Sequence, residues 1–156
     1  MLLITPKRLR PVVVVLRSRF KALLVCGLIF ASCNGLAEQG QFLAQLHAHT
    51  PAELSRVLDR AEKWSEMHDG YINQPIAVVL HGSEANAFLK ENYLQYRSLV
   101  DQAAKLDAFN VVDIQICERW MGNNEVSRDQ IPPFIDTVTY GPQRIKSLIK
   151  AGYQSF

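Results

Sequence analysis

Apolar and polar positions change repeatedly between strand-like and helix-like spacing from residue 38 to the end of the chain. Alternation with a period of two is typical of strands, and apolar residues three or four positions apart are typical of helices. Four segments have strand-like spacing: "QFLAQLHA" (41–48), "PIAVVLHG" (75–82), "VVDIQIC" (111–117) and "FIDTVTY" (134–140). Helical spacing follows each of them, at 50–68, at 84–92 and 98–109, in a short piece at 124–130, and at 141–152.

The segment that begins at Thr50 is the clearest helix in the sequence. Thr50 is in position to cap this helix, and Pro51 suits its first turn. Glu53 predicts a capping box, in which the carboxylate reaches back to the N–H of the cap. The pair Asp69-Gly70 is expected to end the helix. Its apolar residues share one helical face, which we expect to be buried: Leu54, Val57, Leu58, Ala61 and Trp64. Ser83 is expected to cap the next helix.

The strand predicted at 75–82 is apolar on both faces, which is typical of the centre of a parallel sheet covered by helices on both sides. The steady alternation of strands and helices favours parallel strands joined by right-handed crossovers. The pattern therefore predicts an α/β fold, a three-layer sandwich with a mostly parallel sheet of about four to five strands and helices on both faces. A length of 156 residues is enough for one domain of ordinary size.

In open parallel sheets, ligands bind just beyond the carboxyl ends of the strands. The candidate binding residues are therefore those that follow the four predicted strands. In chain order they are His47 and His49, then His81 and Gly82, then Cys117, Glu118 and Arg119, and finally Tyr140 and Gly141. Three of the four histidines of the chain belong to this group.

The net charge of +2 conceals an uneven distribution. Residues 1–37 contain six lysines or arginines and no acidic residue, so the remainder has 11 basic and 15 acidic residues and a net charge of −4. A mildly acidic body lacks the clustered positive charge that nucleic-acid binding requires. We therefore expect no nucleic-acid partner.

The first 37 residues have the order of segments that is typical of a secretory signal peptide. A basic stretch precedes the apolar run "ALLVCGLIFA" (22–31), and small residues follow up to Ala37. The apolar run is shorter than the roughly 20 residues that cross a bilayer. We predict cleavage after Ala37, a periplasmic domain at 38–156, and no membrane span in the mature chain. The alternatives are a lipid anchor at Cys33, or a misassigned start or anchored helix.

Removal of the leader leaves Cys117 without an intrachain partner, so we expect no disulfide. In its strand, Cys117 shares a face with Asp113 and Gln115, opposite the apolar set. A thiol on a polar face can be reactive, whereas a buried thiol is inert packing, and both hypotheses remain open. The reactive hypothesis requires a sulfur that solvent reaches at the rim of the sheet. It also requires a partner such as Arg119 or His81, which would favour the thiolate.

Metal binding is the rival use of the same residues. Cys117, His81 and either His47 or His49 would give three soft ligands and one open position. These residues come from separate strands and contain no paired local motif such as C-x-x-C. The sequence also contains no glycine-rich phosphate loop and no G-x-S-x-G elbow, so we expect no cofactor and no serine hydrolase.

Three segments together resemble the DsrE/DsrF-like family of small sulfur-handling proteins. They are, in order, "PIAVVLHGSEANAFL", "VVDIQICERWMGNN" and "VTYGPQRIKSLIKAGYQSF". The resemblance covers residues 41–156 and implies a single α/β layer sandwich. Active members of that family carry sulfur as a persulfide on the cysteine that Cys117 matches. The resemblance also implies a trimeric or hexameric homo-oligomer.

The family resemblance and the leader together favour an exported sulfur carrier. Cys117 would take sulfur from a donor protein or a small thiol and pass it on, with His81 as a helper. Relay members of the family act in the cytoplasm, so the leader argues against a role in tRNA thiolation. The alternatives are an oligomeric binding module with a packed cysteine, and a periplasmic metal-binding protein that uses the strand-end histidines and Cys117.

Overall fold

The computed structural model describes residues 40–68 and 74–156. The predicted signal peptide at 1–37, with the alternative lipid anchor at Cys33, lies outside the described residues, as does the predicted helix end at Asp69-Gly70.

The described residues contain one five-stranded sheet in which every pair of neighbouring strands is parallel. The order of the strands across the sheet is β4-β3-β2-β1-β5. This sheet confirms the predicted α/β class. The strands are β1 (Phe42–Ala44), β2 (Ile76–Leu80), β3 (Val112–Cys117), β4 (Asp136–Val138) and β5 (Gln154–Ser155).

Four α-helices connect these strands, together with three short 3₁₀ segments. The α-helices are α1 (Pro51–Met67), α2 (Tyr93–Ala108), α3 (Glu118–Asn123) and α4 (Gly141–Lys150). The 3₁₀ segments are Ser83–Phe88, Lys90–Asn92 and Arg128–Gln130. No helix among the described residues is long and apolar enough to cross a membrane.

The two faces of the sheet bury separate apolar clusters, which makes the fold a three-layer sandwich. Residues of β2 alternate between the clusters, with Val78 in the larger and Val79 in the smaller. The larger cluster includes residues of α1 and α2, whereas the smaller contains Leu148 of α4. Every residue of β2 is buried, so this strand is central, as its two-sided apolar pattern predicts.

The start of α1 confirms Thr50 as the cap but corrects the role of Glu53. The Thr50 hydroxyl oxygen accepts the N–H of Glu53 at 3.2 Å. The Glu53 carboxylate does not reach the N–H of Thr50. It accepts the N–H groups of His47, Ala48 and His49 instead, at 2.8–2.9 Å. These charged hydrogen bonds fold the loop before α1 and lower the pKa of Glu53.

Several predicted boundaries are wrong, and local hydrogen bonds explain two of them. β1 ends at Ala44 rather than near residue 48, because the N–H groups of 47–49 bind Glu53 instead of a neighbouring strand. Ser83 is not a cap, since its hydroxyl donates to the carbonyl of His49 and the segment after it is a 3₁₀ helix. Helix α2 begins at Tyr93, five residues before the predicted start, across a kink at Tyr96.

Candidate functional site

The carboxyl ends of β2, β3 and β4 meet around a recess of about 230 Å³. Its walls are Cys117, His81, Arg119, Trp120, Asn123, Tyr140 and Pro142. The structure thus brings together four of the residues that the sequence predicts for a site: His81, Cys117, Arg119 and Tyr140. Trp120 and Asn123 lie three residues apart on α3 and so share one helical face towards the recess.

Cys117 is the last residue of β3, directly before the first turn of α3. Its sulfur accepts a hydrogen bond from the backbone N–H of Gly141, with an N–Sγ distance of 3.2 Å. Gly141 is the first residue of α4, so this N–H is one of the donors that a helix leaves free at its start. The sulfur of Cys117 therefore lies at the positive end of a ten-residue helix, within reach of an N–H donor.

The sequence predicts the face of β3 on which Cys117 lies, but it does not predict the burial of the residue. Cys117 is on the same side of the strand as Gln115, whose side-chain oxygen accepts the Nε–H of Arg144 in α4 at 3.0 Å. Cys117 is nevertheless only 2% exposed, because the start of α4 covers this part of the sheet. The reactive hypothesis requires a sulfur that solvent reaches at the rim of the sheet, and this low exposure of Cys117 does not by itself provide one. The residue forms part of the wall of an open recess.

His81 follows β2 and is partly buried beside the cysteine. A β-carbon added at Gly141 would lie 3.0 Å from Cβ of His81 and 3.3 Å from Cβ of Cys117. The side chains of His81 and Cys117 therefore border the same small space next to the backbone of Gly141. Burial lowers the pKa of His81 below its ordinary value of 6.5, and the neighbouring His49 lowers it further, although Glu84 acts in the opposite direction. His81 is therefore uncharged at neutral pH and can accept a proton.

Glu84 holds the turn that carries His81, and sequence reasoning missed it. This carboxylate is fully buried. Its Oε1 accepts the N–H groups of His81 and Gly82, each at 2.9 Å, and lies 3.4 Å from Nδ1 of His49. Its Oε2 is buried and has no hydrogen-bond partner among the described residues. The signal in the sequence was weak, because a glutamate one position after a serine at the start of a helical segment is usually exposed.

His49 and Gly82 complete this turn. The ring of His49 packs against the ring of His81, with 4.4 Å between the centroids. His49 has a φ of 50°, in the left-handed region, and its loop is held by Glu53. A β-carbon at Gly82 would lie 2.5 Å from Cβ of His49 and 2.6 Å from Oε2 of Glu84. Only glycine fits at position 82, so the role of this residue is to allow close packing.

Two predicted site residues lie elsewhere. His47 is exposed and does not line the recess, and its backbone N–H binds Glu53. Glu118 lines a separate groove beside β4, where it accepts a hydrogen bond from the hydroxyl of Thr137 at 3.0 Å. Within residues 40–68 and 74–156, no three histidine, cysteine or acidic side chains are arranged to hold a metal ion. The geometry thus gives the metal-binding hypothesis no support.

Comparison with known proteins supports the fold. No family model matches the chain, and no curated protein matches it. Among solved structures, the chain is similar to a protein of unknown function, MTH1491 from Methanobacterium thermoautotrophicum. The TM-score is 0.52 and the sequence identity 16%, over 74% of this chain and 93% of that chain. A likeness at this identity extends to the fold alone, so membership of the DsrE/DsrF-like family stays a prediction.

Proposed function

We propose that this chain is an exported, DsrE-like sulfur carrier in which Cys117 accepts a sulfur atom and passes it on. The observation that carries this proposal is the hydrogen bond from the first N–H of α4 to the sulfur of Cys117, in the wall of an open recess. A backbone donor at a helix start and an uncharged imidazole nearby are two of the features that can activate a cysteine nucleophile.

The proposed reaction needs no oxidant or cofactor. His81 takes the proton of the Cys117 thiol, and the thiolate attacks the outer sulfur of a donor persulfide, R–S–SH. A bond forms between the two sulfurs while the S–S bond of the donor breaks, and the donor leaves as a thiolate that takes up a proton. An acceptor thiolate then attacks the outer sulfur on Cys117 in the same way, which returns the cysteine to its free form.

The proposal includes two features that rest on the sequence rather than on the site. The order of segments at 1–37 supports export to the periplasm. The DsrE/DsrF resemblance supports a trimeric or hexameric homo-oligomer, with a sulfur donor or acceptor protein or a small thiol as partner.

One observation favours a second function, a binding module in which the cysteine is packed. Cys117 is 2% exposed, a value common among cysteines that only fill space in a core. The two functions differ in whether a small reagent in the recess reaches the sulfur of Cys117 while the protein stays folded. They therefore predict different reactivity of the native protein.

Sulfur loading tests the proposal directly. The full-length chain with Cys26→Ser and Cys33→Ser retains Cys117 as its one cysteine. We expect this protein, incubated with a small-molecule persulfide, to gain the mass of one sulfur atom on the peptide that contains Cys117. We also expect a subsequent acceptor thiol to remove that mass. The same chain with Cys117→Ser should gain none. A native protein that stays unmodified while its unfolded form is loaded would support the packed-cysteine function instead.

A further inference from the structure

The recess at Cys117 has an unbalanced positive charge. Among the described residues that line the recess, Arg119 is the one that is charged at neutral pH, and none of them has a carboxylate. The guanidinium carbon lies 5.3 Å from the centroid of the ring of Tyr140, which also lines the recess. In the described part of the chain, no carboxylate forms an ion pair with Arg119. The neighbouring carboxylate, Glu118, accepts a hydrogen bond from Thr137 in the separate groove.

A free guanidinium offers a planar set of N–H donors that matches the oxygens of a carboxylate, sulfonate or sulfate-like group. The recess adds a limit on size. Its volume of about 230 Å³ corresponds to roughly eight water molecules at about 30 Å³ each. The space thus suits a molecule of several non-hydrogen atoms.

We infer that the sulfur donor is a small oxyanion with a sulfane sulfur, of the thiosulfate or thiosulfonate class. This inference rests on the proposed function. Arg119 binds the oxygens of the donor, and the sulfane sulfur faces Cys117. The thiolate of Cys117 attacks that outer sulfur. The new S–S bond forms while the S–S bond of thiosulfate breaks, and sulfite leaves with the electron pair. The product is the Cys117 persulfide, and no net oxidation or reduction occurs.

Charged thiol reagents of matched size test the role of Arg119 separately from sulfur transfer. 2-Sulfonatoethyl methanethiosulfonate is anionic and 2-trimethylammonioethyl methanethiosulfonate is cationic. Each places its charged group on the cysteine through a disulfide and releases methanesulfinate. In the full-length chain with Cys117 as its one cysteine, we expect the anionic reagent to react faster than the cationic one. Arg119→Gln should lower the ratio of the two rates about tenfold, since one charged partner is lost.

Arg56→Gln is the matched control, because it removes the same charge from an exposed arginine of α1 whose Nε donates to the carbonyl of Ala52. This control should leave the ratio of rates unchanged. With thiosulfate itself, Arg119→Gln should raise the concentration that gives half-maximal loading of Cys117 about tenfold. That loading should release one sulfite per sulfur bound.

The outcomes separate this inference from the proposed function. If the native protein shows no preference for the anionic reagent, or keeps its preference in Arg119→Gln, the anionic donor is wrong while Cys117 stays a carrier for other donors. If neither reagent labels Cys117 in the native protein, the proposed function itself is contradicted, and this inference with it.

Discussion

Replacement of Glu84 by alanine is expected to lower the free energy of unfolding by about 3 kcal/mol, because it leaves the partly buried N–H groups of His81 and Gly82 without an acceptor. Each of these groups donates to Oε1 of Glu84, and the carboxylate is fully buried. A polar group that loses its only partner in the interior costs about 1–3 kcal/mol. The loss of packed side-chain volume adds to this cost. Urea unfolding of the full-length protein measures the change.

Two further variants assign the effect to the hydrogen bonds. Glu84→Gln keeps the shape of the side chain and an oxygen that can accept both N–H groups, so it should recover most of the lost stability. Glu91→Ala is the surface control, because Glu91 is exposed on the next 3₁₀ segment. This control should change stability by less than about 0.5 kcal/mol. An alanine variant at Glu84 that is as stable as the one at Glu91 would show that the carboxylate does not hold the turn.

His81→Gln is expected to slow the loading of sulfur onto Cys117 about 100-fold, because an amide cannot take the proton of the thiol. A positioned general base contributes roughly 10²–10⁴-fold to the rate of such a step. The fold should survive, since the backbone N–H of His81, and not its ring, binds Glu84. The rate is measured by the mass of the Cys117 peptide at successive times.

His68→Gln is the matched control, because the imidazole of His68 is exposed at the end of α1 and packs on Trp64, away from the recess. Its loading rate should equal that of the unsubstituted protein. If His81→Gln loads at that rate as well, the imidazole of His81 does not act as the base.

The lowered pKa of His81 sets the pH range over which His81→Gln should load sulfur more slowly than the unsubstituted protein. The pKa of His81 in the folded protein lies below 6.5, the value at which a free histidine is half protonated, so most of the imidazole is uncharged at pH 6.5. The advantage of the native protein over His81→Gln should therefore persist at pH 6.5 and decline only at lower pH. The unfolded chain binds more protons here than the folded one, so the contribution of His81 to stability is complete above pH 6.5 and falls as the pH drops towards its folded value.

The sequence predicts the fold well because its signals are local or periodic. The apolar pattern of 75–82 places β2 at the centre of the sheet, and Thr50 and Pro51 mark the start of α1. The topological rule for parallel sheets brings His81, Cys117 and Tyr140 to one edge. β5 was not among the four predicted strands, since its two residues form a strand only through pairing with β1.

The parts of the site that the sequence did not predict depend on contacts between distant segments. Cys117 is buried because the start of α4 covers it. There the N–H of Gly141, 24 residues later in the chain, donates to its sulfur. Glu84 is buried because it satisfies backbone donors at the end of β2 and lies beside His49, 35 residues earlier. The carboxylate of Glu53 accepts hydrogen bonds from the loop before its helix and not from the N–H of the cap residue. Residue spacing does not encode such pairings, because each depends on how two elements approach each other in space.

The most direct test of the central claim, that native Cys117 reacts from the recess, is the rate of its alkylation by iodoacetamide. The full-length chain with Cys26→Ser and Cys33→Ser is compared in native buffer and in denaturing urea at one pH. We predict that the native thiol reacts at least as fast as the unfolded one, since His81 lies beside the thiol and takes its proton. A native rate about 100-fold or more below the unfolded rate would contradict the claim, because reaction would then require the protein to open.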